Sequence, residues 1–427
     1  MKVLMFGWEF PPHIAGGLGT ACYGMTKGLA HCGVDVLFVM PSASGDEDQS
    51  SVRIINASDV AVSDTCTNVD EFLSKVQFLR VGSNLHPYMD PTLFTDLVES
   101  ERRFQSEEFK IHFGQKYKFS GKYGSNLMEE VSRYAMVAGA IAANNEFDVI
   151  HAHDWLTYLA GIAAKRVSGK PLVIHVHATE YDRGTSPNTE VFRLEKMGME
   201  EADKVITVSN LTRNIVINKY GIDPSKVVTV HNAVDFSGRS EIEVSRGVKD
   251  KVITFLGRIT FQKGPEYFIE AAAKVLRMCP DVRFVMAGSG DMMNRCIRYV
   301  AKLGIADRFH FTGFLRGNDV QRMFALSDVY VMPSVSEPFG ISPLEAMKTD
   351  VPTIISKQSG VAEVLKYAIK VDFWDVDALA DAMYGLLRYP ALKKVATEKG
   401  RDEVDSLKWD NAALKLKSVY ESAVYGK

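Results

Sequence analysis

The sequence predicts an α/β protein built from two doubly wound domains, each with a parallel sheet between layers of helices. Short runs rich in Val, Ile and Phe alternate with longer segments of helical periodicity, and this alternation is typical of βαβ units. The alternation occurs in two series, which a polar segment at 237–250 separates. The chain has 427 residues, which is enough for two or three domains of ordinary size.

The apolar runs give the predicted strands and, from them, the domain boundaries. In the first series they lie at 2–6, 34–40, 147–153, 171–177, 204–209 and 226–232. In the second series they lie at 251–257, 282–288, 308–313, 328–334 and 351–356. The chain ends in a helical pattern that no strand follows. The predicted organisation is an N-terminal domain 1–235, a linker 236–250, a C-terminal domain 251–408, and a helix 409–427 that packs back on the N-terminal domain.

Charge and composition exclude several classes of protein. The net charge of −3 argues against a general nucleic-acid surface. The five cysteines are scattered without a CxxC pair, so a disulfide framework and a cysteine zinc site are not expected, and a reducing compartment is favoured. The first apolar run is too short for a signal peptide, and no run approaches the ~18 residues that span a bilayer. We therefore expect a soluble, cytoplasmic protein.

Ligands of open α/β sheets bind beyond the carboxyl ends of the strands, so the functional residues are expected in the loops that follow strands. After the first strand, Gly16, Gly17 and Gly19 precede a helix. Glycines allow a ligand to approach the backbone closely, and a helix N-terminus attracts anions. The spacing is not GxGxxG, which argues against a nicotinamide cofactor. A plain glycine-rich turn is the alternative.

Two His-x-His pairs stand at other strand ends of the first series. They occur in "HAHDW" at 151–155 and in "HVHATEYDR" at 175–183. Residues that alternate along a strand point to one face, so both members of each pair share a face. A pair of this kind can bind a metal ion, but neither pair has a third ligand at a convincing spacing. We therefore predict no metal site, and structural histidines remain an alternative.

The second series carries cations and carboxylates in its loops. Arg258 and Lys263 follow the first strand of this series, and two fixed cations at a strand end suit a diphosphate. The turn "AGSGD" at 287–291 follows the next strand. Incidental charges on a solvated loop are the alternative interpretation of the two cations.

Two glutamates occur in "PSVSEPFGISPLEAM" at 333–347, and carboxylates are costly to bury. Ser342, Pro343 and Glu345 fit a capping box at a helix start, with Ser342 as N-cap. This local interpretation explains Glu345 and leaves Glu337 unexplained. It also leaves the backbone N–H groups of 340–342 available for a phosphate.

At these residues the sequence resembles the retaining glycosyltransferases of GT-B fold, in which two Rossmann-like domains face a cleft. "EPFGISPLE" resembles their E-x7-E element, and it occurs in the family's order with "GGLG", "HAHDW", "NAVD", "GRITFQKG" and "AGSGD". The resemblance covers nearly the whole chain. It points to glycogen and starch synthases or to glycosyltransferase family 4, and "FGWEFPPHIAGGLG" favours the glycogen synthase-like enzymes.

The resemblance implies catalytic roles for five residues. Arg258 and Lys263 match the cations that hold the donor diphosphate, and Glu337 matches a glutamate beside the hydroxyls of the transferred sugar. His177 matches the histidine near the sugar's C6 hydroxyl, and Asp154 matches an aspartate on the acceptor side. Donor binding is implied for Gly16, Gly17, Arg258, Lys263, Gly288, Leu315, Gly340, Ile341, Ser342 and Glu345, with Glu345 on the ribose and Leu315 beside the nucleobase.

The function that the resemblance implies is transfer of a glucosyl or other hexosyl unit, with retention, from a nucleotide sugar to a glucan. ADP- or UDP-glucose is the expected donor, and no cofactor or metal is needed if Arg258 and Lys263 neutralise the diphosphate. Ala15 replaces the lysine that bacterial glycogen synthases carry before Gly-Gly, and "HATEYDR" is closer to family 4. A family 4 enzyme with a small or lipid-linked acceptor is therefore the main alternative. A glycoside hydrolase, a nucleotide-sugar epimerase and a non-catalytic sugar-binding protein are more distant alternatives.

The stretch 110–123, "KIHFGQKYKFSGKY", interleaves lysines with aromatic residues and contains no acid. Aromatic faces suit sugar rings and lysines suit phosphate head groups, so peripheral contact with a membrane stays open. A hairpin with one buried face is the alternative. The sequence gives no oligomeric state.

Overall fold

The structure is a computed structural model, and it describes residues 1–13, 17–62, 116–122, 124, 126–184, 189–234, 244, 247 and 249–426. The chain divides into two compact units. Unit 1 comprises Met1–Tyr181, Thr185–Ala233 and Trp409–Lys427, and unit 2 comprises Asp182–Gly184 and Val234–Lys408. The C-terminal helix therefore groups with the N-terminal unit. Most of the predicted linker 236–250 and residues 110–115 and 123 lie outside the described residues.

Unit 1 contains a seven-stranded parallel sheet in the order β3-β2-β1-β4-β5-β6-β7. The strands are β1 (Lys2–Phe6), β2 (Asp35–Met40), β3 (Arg53–Asn56), β4 (Val149–His153), β5 (Leu172–Val176), β6 (Lys204–Thr207) and β7 (Val227–Thr229). The continuous apolar runs of β1, β4 and β5 are buried, as expected for strands covered on both faces.

Unit 2 contains a six-stranded parallel sheet in the order β10-β9-β8-β11-β12-β13. Its strands are β8 (Lys251–Leu256), β9 (Val282–Ala287), β10 (Phe309–Gly313), β11 (Val329–Met332), β12 (Thr353–Ser356) and β13 (Ile369–Val371). Counted from the first strand of each unit, the two sheets share the order 3-2-1-4-5-6. This is the doubly wound order, so the predicted fold class is confirmed.

The α-helices of the described residues follow the strands as βαβ units require. They are α1 (Gly17–His31), α2 (Leu127–Ala143), α3 (Trp155–Ser168), α4 (Glu180–Arg183), α5 (Thr189–Glu201), α6 (Asn210–Tyr220), α7 (Pro265–Met278), α8 (Met293–Lys302), α9 (Asn318–Leu326), α10 (Ser342–Lys348), α11 (Val376–Arg388), α12 (Pro390–Ser406) and α13 (Trp409–Tyr425). None of these helices is long and apolar enough to cross a bilayer.

Alternating residues of β1 belong to two different hydrophobic cores of unit 1. Leu4 and Phe6 belong to the core that contains α2 and α3. Val3 and Met5 belong to the core that contains α1 and α13, where Trp409 and Tyr420 are buried. The final helix therefore completes one face of the unit 1 sheet. The core of unit 2 is formed by its sheet with α7, α8 and α11.

Part of the basic and aromatic stretch also belongs to unit 1. Phe119 is buried in the α2 and α3 core, and the guanidinium of Arg133 lies 5.2 Å from the ring centre of Tyr117. The N–H groups of Ser120 and Gly121 donate to the Glu130 carboxylate at 3.0 and 3.3 Å. In the described part of this stretch, these two aromatic side chains therefore contribute to packing.

Candidate active site

Each sheet reverses its strand order at one point, between β1 and β4 in unit 1 and between β8 and β11 in unit 2. Loops that leave the two strands on either side of such a point run to opposite faces of the sheet, which opens a crevice for ligands. In unit 2, Arg258 and Lys263 follow β8, and Glu337 follows β11. In unit 1, Asp154 follows β4, and Gly17 begins the helix after β1. These predicted site residues therefore follow the strands at the two reversal points, whereas His177, Gly288 and Leu315 follow β5, β9 and β10.

Lys263 and Glu337 form an ion pair at the reversal point of unit 2. Lys263 Nζ donates to Glu337 Oε2, and the hydroxyl of Ser334 donates to the same oxygen at 3.3 Å. The side chains of Lys263 and Glu337 are only 18% and 9% exposed, so little water screens the two charges. The fixed pair provides a cation and a hydrogen-bond acceptor in one place.

The backbone holds the Glu337 loop against the loop that follows β12. The N–H of Glu337 donates to the carbonyl of Gln358 at 3.0 Å, and the N–H of Gly360 donates to the carbonyl of Glu337 at 2.8 Å. Gly340 has a φ of 100°, which favours glycine, and a Cβ there would lie 3.1 Å from Glu337 Cγ. The turn therefore leaves room for the glutamate side chain.

Gln262 links the two loops that carry the charged groups, and no sequence motif marks it as a site residue. Its side chain is buried, and its Oε1 accepts from Arg258 Nη2 at 3.3 Å. Its carbonyl accepts the N–H of Val335 at 2.8 Å. A lone glutamine in a loop resembles any solvated polar residue, so only the fold reveals that Gln262 positions Arg258.

Gly288 brings the β8 and β9 loops together. Its N–H donates to the carbonyl of Gly313 at 2.8 Å, and its φ is 139°. A Cβ at this position would lie 1.8 Å from the carbonyl oxygen of Gly257, so a side chain does not fit. Leu315, the predicted nucleobase neighbour, is half-buried and lies two residues beyond Gly313, where β10 ends.

The predicted capping box is wrong. Helix α10 begins at Ser342 with Ile341 as its N-cap, and no side chain caps it. The Ser342 hydroxyl lies 2.8 Å from the phenol oxygen of Tyr330, which also donates to the carbonyl of Leu256 at 3.3 Å. Burial raises the pKa of Tyr330 well above its usual value, and a buried neutral phenol needs hydrogen-bond partners. Pairing with Tyr330 thus replaces the predicted cap.

The backbone N–H groups at the start of α10 are available as hydrogen-bond donors. Within the described part of the chain, the N–H groups of Gly340, Ile341 and Ser342 make no hydrogen bond. Glu345 lies in the first turn of α10, where its negative charge is favourable to the helix dipole. The turn can therefore offer N–H donors next to the Lys263–Glu337 pair.

In unit 1, Asp154 organises the start of the loop that follows β5. Its Oδ1 accepts the N–H of His177 at 2.7 Å and that of Ala178 at 3.3 Å. Its φ of 57° is unusual for a residue other than glycine. Such backbone strain persists where the surroundings fix it and is common at functional sites. Asp154 is buried and determines the position of the His177 backbone.

His177 stands at the end of a cluster of histidines. Its Nε2 and Nδ1 of His153 lie 2.9 Å apart, so one of them donates to the other. Desolvation by burial lowers the pKa of His177 to about 3. The ring is therefore neutral at physiological pH and can donate one hydrogen bond and accept one.

The glycine-rich loop is described only in part. Gly16 lies outside the described residues, while Gly17 is the exposed first residue of α1. The carboxylate of Glu9 accepts the N–H of Gly19 at 3.1 Å, and Glu9 itself is buried. Glu9 is not among the predicted site residues, although a glutamate before a glycine-rich turn is a signal in the sequence. An acid at this helix start stabilises the first turn of α1.

Comparisons with known proteins agree with this architecture. Residues 2–230 match the family described as starch synthase catalytic domain, and residues 239–403 match glycosyl transferases group 1. The chain is 28% identical to an uncharacterized glycosyltransferase of Methanocaldococcus jannaschii, over 99% of each chain, and 24% identical to a glycogen synthase of Mycobacterium tuberculosis, over 100% of this chain and 96% of that protein. Sucrose-phosphate synthase from Thermosynechococcus elongatus has the same fold, with a TM-score of 0.72, 17% identity and full coverage of both chains.

The starch synthase match alone covers more than half of the chain, and the group 1 match covers most of unit 2. The two parallel sheets and the similarity to sucrose-phosphate synthase identify the predicted GT-B fold. The chain therefore belongs to the GT-B glycosyltransferases, in the family of the starch synthase catalytic domain.

Proposed function

We propose that this protein is a retaining glucosyltransferase, which transfers glucose from ADP- or UDP-glucose to an α-glucan. The observation that carries the proposal is the Lys263–Glu337 ion pair at the reversal point of the unit 2 sheet, with Arg258 held beside it by Gln262. A glycoside hydrolase needs two carboxylates and has no use for paired cations at a strand end. A transferase that expels a diphosphate needs them.

Breaking the anomeric C–O bond builds negative charge on the departing nucleoside diphosphate. Arg258 and Lys263 stabilise this charge, and the N–H groups of residues 340–342 add neutral donors. Two cations can take the part that a divalent ion has in other transferases, so we propose that transfer needs no metal. Glu345, in the first turn of α10, binds the donor ribose.

Positive charge develops on the sugar ring at the same time. Glu337 binds a sugar hydroxyl and stabilises the ring as it becomes cationic. In unit 1, His177 is neutral and donates or accepts a hydrogen bond at the C6 hydroxyl, while Asp154 holds the His177 backbone. The acceptor hydroxyl attacks from the face of the leaving group, which retains the anomeric configuration.

The experiment is an assay of released nucleoside diphosphate with ADP-, UDP- and GDP-glucose, each with and without α-glucan. We expect release that depends on glucan, and an α-anomeric first product by NMR. A β-anomeric product would contradict retention. No release from any donor would overturn the transferase proposal, and interconversion of sugars without release would identify an epimerase.

A family 4 transferase with a small or lipid-linked acceptor is the second candidate, and two sequence features favour it. Ala15 stands where the bacterial glycogen synthases carry a lysine, and residues 177–183 read "HATEYDR". The same assay separates the two candidates when inositol phosphate and polyprenyl-diphosphate sugars replace the glucan. Release only with one of these acceptors would support the second candidate.

A further inference from the structure

Four histidines form a cluster inside unit 1. His151 and His153 lie on β4, His175 lies on β5, and His177 follows β5 directly. Strand register pairs His153 with His175, so the two His-x-His pairs occupy one face of adjacent strands. The side chains of His151, His153 and His175 are completely buried. The ring centres of these three lie 4.2, 5.3 and 5.3 Å apart.

The hydrogen bonds of this cluster follow an uneven pattern. Nδ1 of His151 lies 2.7 Å from the Tyr420 hydroxyl, and Nδ1 of His153 lies 2.9 Å from His177 Nε2. Nε2 of His151 and of His153 have no hydrogen-bond partner among the described residues, and neither has either ring nitrogen of His175. Buried polar atoms are nearly always paired, so unpaired nitrogens on three adjacent rings require an explanation.

This pattern is the one that metal-binding histidines show. A ligating imidazole binds the ion through one nitrogen and passes its other N–H to a protein acceptor. His151 and His153 each have a partner at Nδ1 and none at Nε2. Tyr420 and His177 are then the outer partners that orient the two rings. His175 offers a third ring with both nitrogens available.

The distances fit a single ion. One ring nitrogen from each of the three histidines lies within 4.8 Å of those of the other two. Two imidazoles that bind one zinc ion at ~2.0–2.1 Å hold their ring centres roughly 5 Å apart at tetrahedral angles. The two separations of 5.3 Å that involve His175 are close to this value, and the His151–His153 separation of 4.2 Å is shorter, so the rings would have to rotate to bring the nitrogens to one ion.

The surroundings favour a cation as well. All three rings are completely buried, and burial favours the neutral imidazole, which is the form that binds a metal ion. Cys22 lies beside His153 and His177, and the charges of Glu9 and Asp154 act on its thiol. Glu9 and Asp154 thus add negative charge near Cys22, which favours a cation there.

We propose that His151, His153 and His175 bind one Zn²⁺ ion in the interior of unit 1. Three imidazoles suit zinc, and the ion would complete its four-coordinate shell with one further donor. It would tie β4 to β5 and, through Tyr420, to α13. This role is structural, and it is linked to the proposed glucosyl transfer only through His177, the partner of His153.

The test begins with the full chain stripped by a chelator. Zn²⁺ is then added, and bound metal is measured by elemental analysis, the melting temperature by calorimetry, and coordination by absorption after substitution with Co²⁺. We expect one ion per chain, a higher melting temperature and the intense absorption of four-coordinate Co²⁺. Binding of less than one tenth of an equivalent, or no change in melting temperature, would overturn the proposal.

Variants assign the ligands. His175→Val removes a ring that has no hydrogen-bond partner, and it should weaken Zn²⁺ binding at least ~100-fold. Tyr420→Phe removes one outer partner and should weaken binding ~10-fold. His31→Asn is the matched control, because His31 is an exposed histidine paired with Asp410, and this variant should bind normally.

Cys22→Ser distinguishes the three-histidine site from an alternative metal site that includes the Cys22 thiol. A thiol and two imidazoles, Cys22, His153 and His177, form the other group in the described residues whose ligand atoms lie within 4.8 Å of one another. We expect Cys22→Ser to retain Zn²⁺ binding and the Co²⁺ spectrum to lack a sulfur charge-transfer band. If Cys22→Ser abolishes binding while His175→Val leaves it intact, the three-histidine assignment is wrong.

Discussion

The two reversal points share a topology and differ in how they handle charge. In unit 2, the edge between β8 and β11 carries the Lys263–Glu337 ion pair. In unit 1, the edge between β1 and β4 carries neutral histidines and Asp154, whose carboxylate accepts two backbone N–H groups. The same strand order therefore determines where a ligand binds, and the side chains after each strand determine which chemistry occurs there.

The difference follows from desolvation. Burial favours the neutral form of an imidazole and lowers its pKa, so His151 and His177 are neutral and need no counter-ion. A lysine and a glutamate buried together keep both charges by pairing. Under the proposed function, diphosphate oxygens replace Glu337 beside Lys263 in unit 2, and unit 1 offers hydrogen bonds to the sugar.

The largest predicted effect is on kcat/KM, and it concerns the charged reversal point of unit 2. Arg258→Ala and Lys263→Ala should each lower kcat/KM by about 100-fold or more, because each removes a cation that stabilises the departing diphosphate. Steady-state kinetics with the donor identified by the release assay measures this. Arg322→Ala is the control, since Arg322 forms an exposed ion pair with Asp319 in the same unit. A near-normal rate for Arg258→Ala or Lys263→Ala would contradict the assigned role.

Chelator should leave the initial rate of transfer largely unchanged if these cations replace a metal at the diphosphate. The measurement is the rate of nucleotide release with and without chelator at a temperature far below unfolding. Complete loss of activity, restored by Mg²⁺ or Mn²⁺, would show that a metal ion is needed to neutralise the diphosphate.

The second-largest predicted effect is on stability, and it concerns Asp154 at the reversal point of unit 1. Asp154→Ala should cost about 1–3 kcal/mol in the free energy of unfolding, because the buried N–H groups of His177 and Ala178 lose their acceptor. Asp154→Asn keeps a side-chain oxygen and should cost less. Urea denaturation of the three proteins tests this order. Equal stability of Asp154→Ala and the wild type would mean that other groups hold the His177 backbone.

The third effect connects stability and catalysis in unit 2. Glu337→Gln leaves Lys263 with a neutral partner, which should cost about 1 kcal/mol of stability after allowance for the partial exposure of the pair. The substitution should lower kcat about 10-fold with little change in the donor KM, because the negative charge matters most when the sugar ring becomes cationic. A changed KM with normal kcat would place Glu337 in ground-state binding only.

The sequence predicted the sheets well because buried parallel strands are continuous apolar runs. It missed β3 and β13, which are short edge strands with partly exposed residues and no such run. It selected His151, His153, His175 and His177 as two separate pairs. Their union depends on the register between β4 and β5, and register is a tertiary property that spacing along the chain does not contain.

Residue type alone suggested chemistry at Arg258, Lys263 and Glu337, and the structure brings the last two together as an ion pair. Gln262 and Glu9 were missed because their roles depend on tertiary partners: Gln262 binds the Arg258 guanidinium, and Glu9 binds the N–H of Gly19. The capping box failed for a related reason. A local motif competes with tertiary partners, and the buried hydroxyl of Tyr330 takes the Ser342 hydroxyl that the motif assigns to the helix.

The smallest predicted effect sharpens this last point. Because no side chain of the described residues caps α10, Glu345→Ala loses no cap, and it should cost less than ~1 kcal/mol through the helix dipole and the other contacts of the glutamate. Both Glu345→Ala and Glu345→Gln should instead raise the donor KM, since each removes the charged acceptor proposed for the ribose. Calorimetry and donor titration on the two variants give both quantities. A stability loss of about 2 kcal/mol in Glu345→Ala with an unchanged KM would restore Glu345 to a structural role and leave Glu337 as the one carboxylate of the pair that serves the donor sugar.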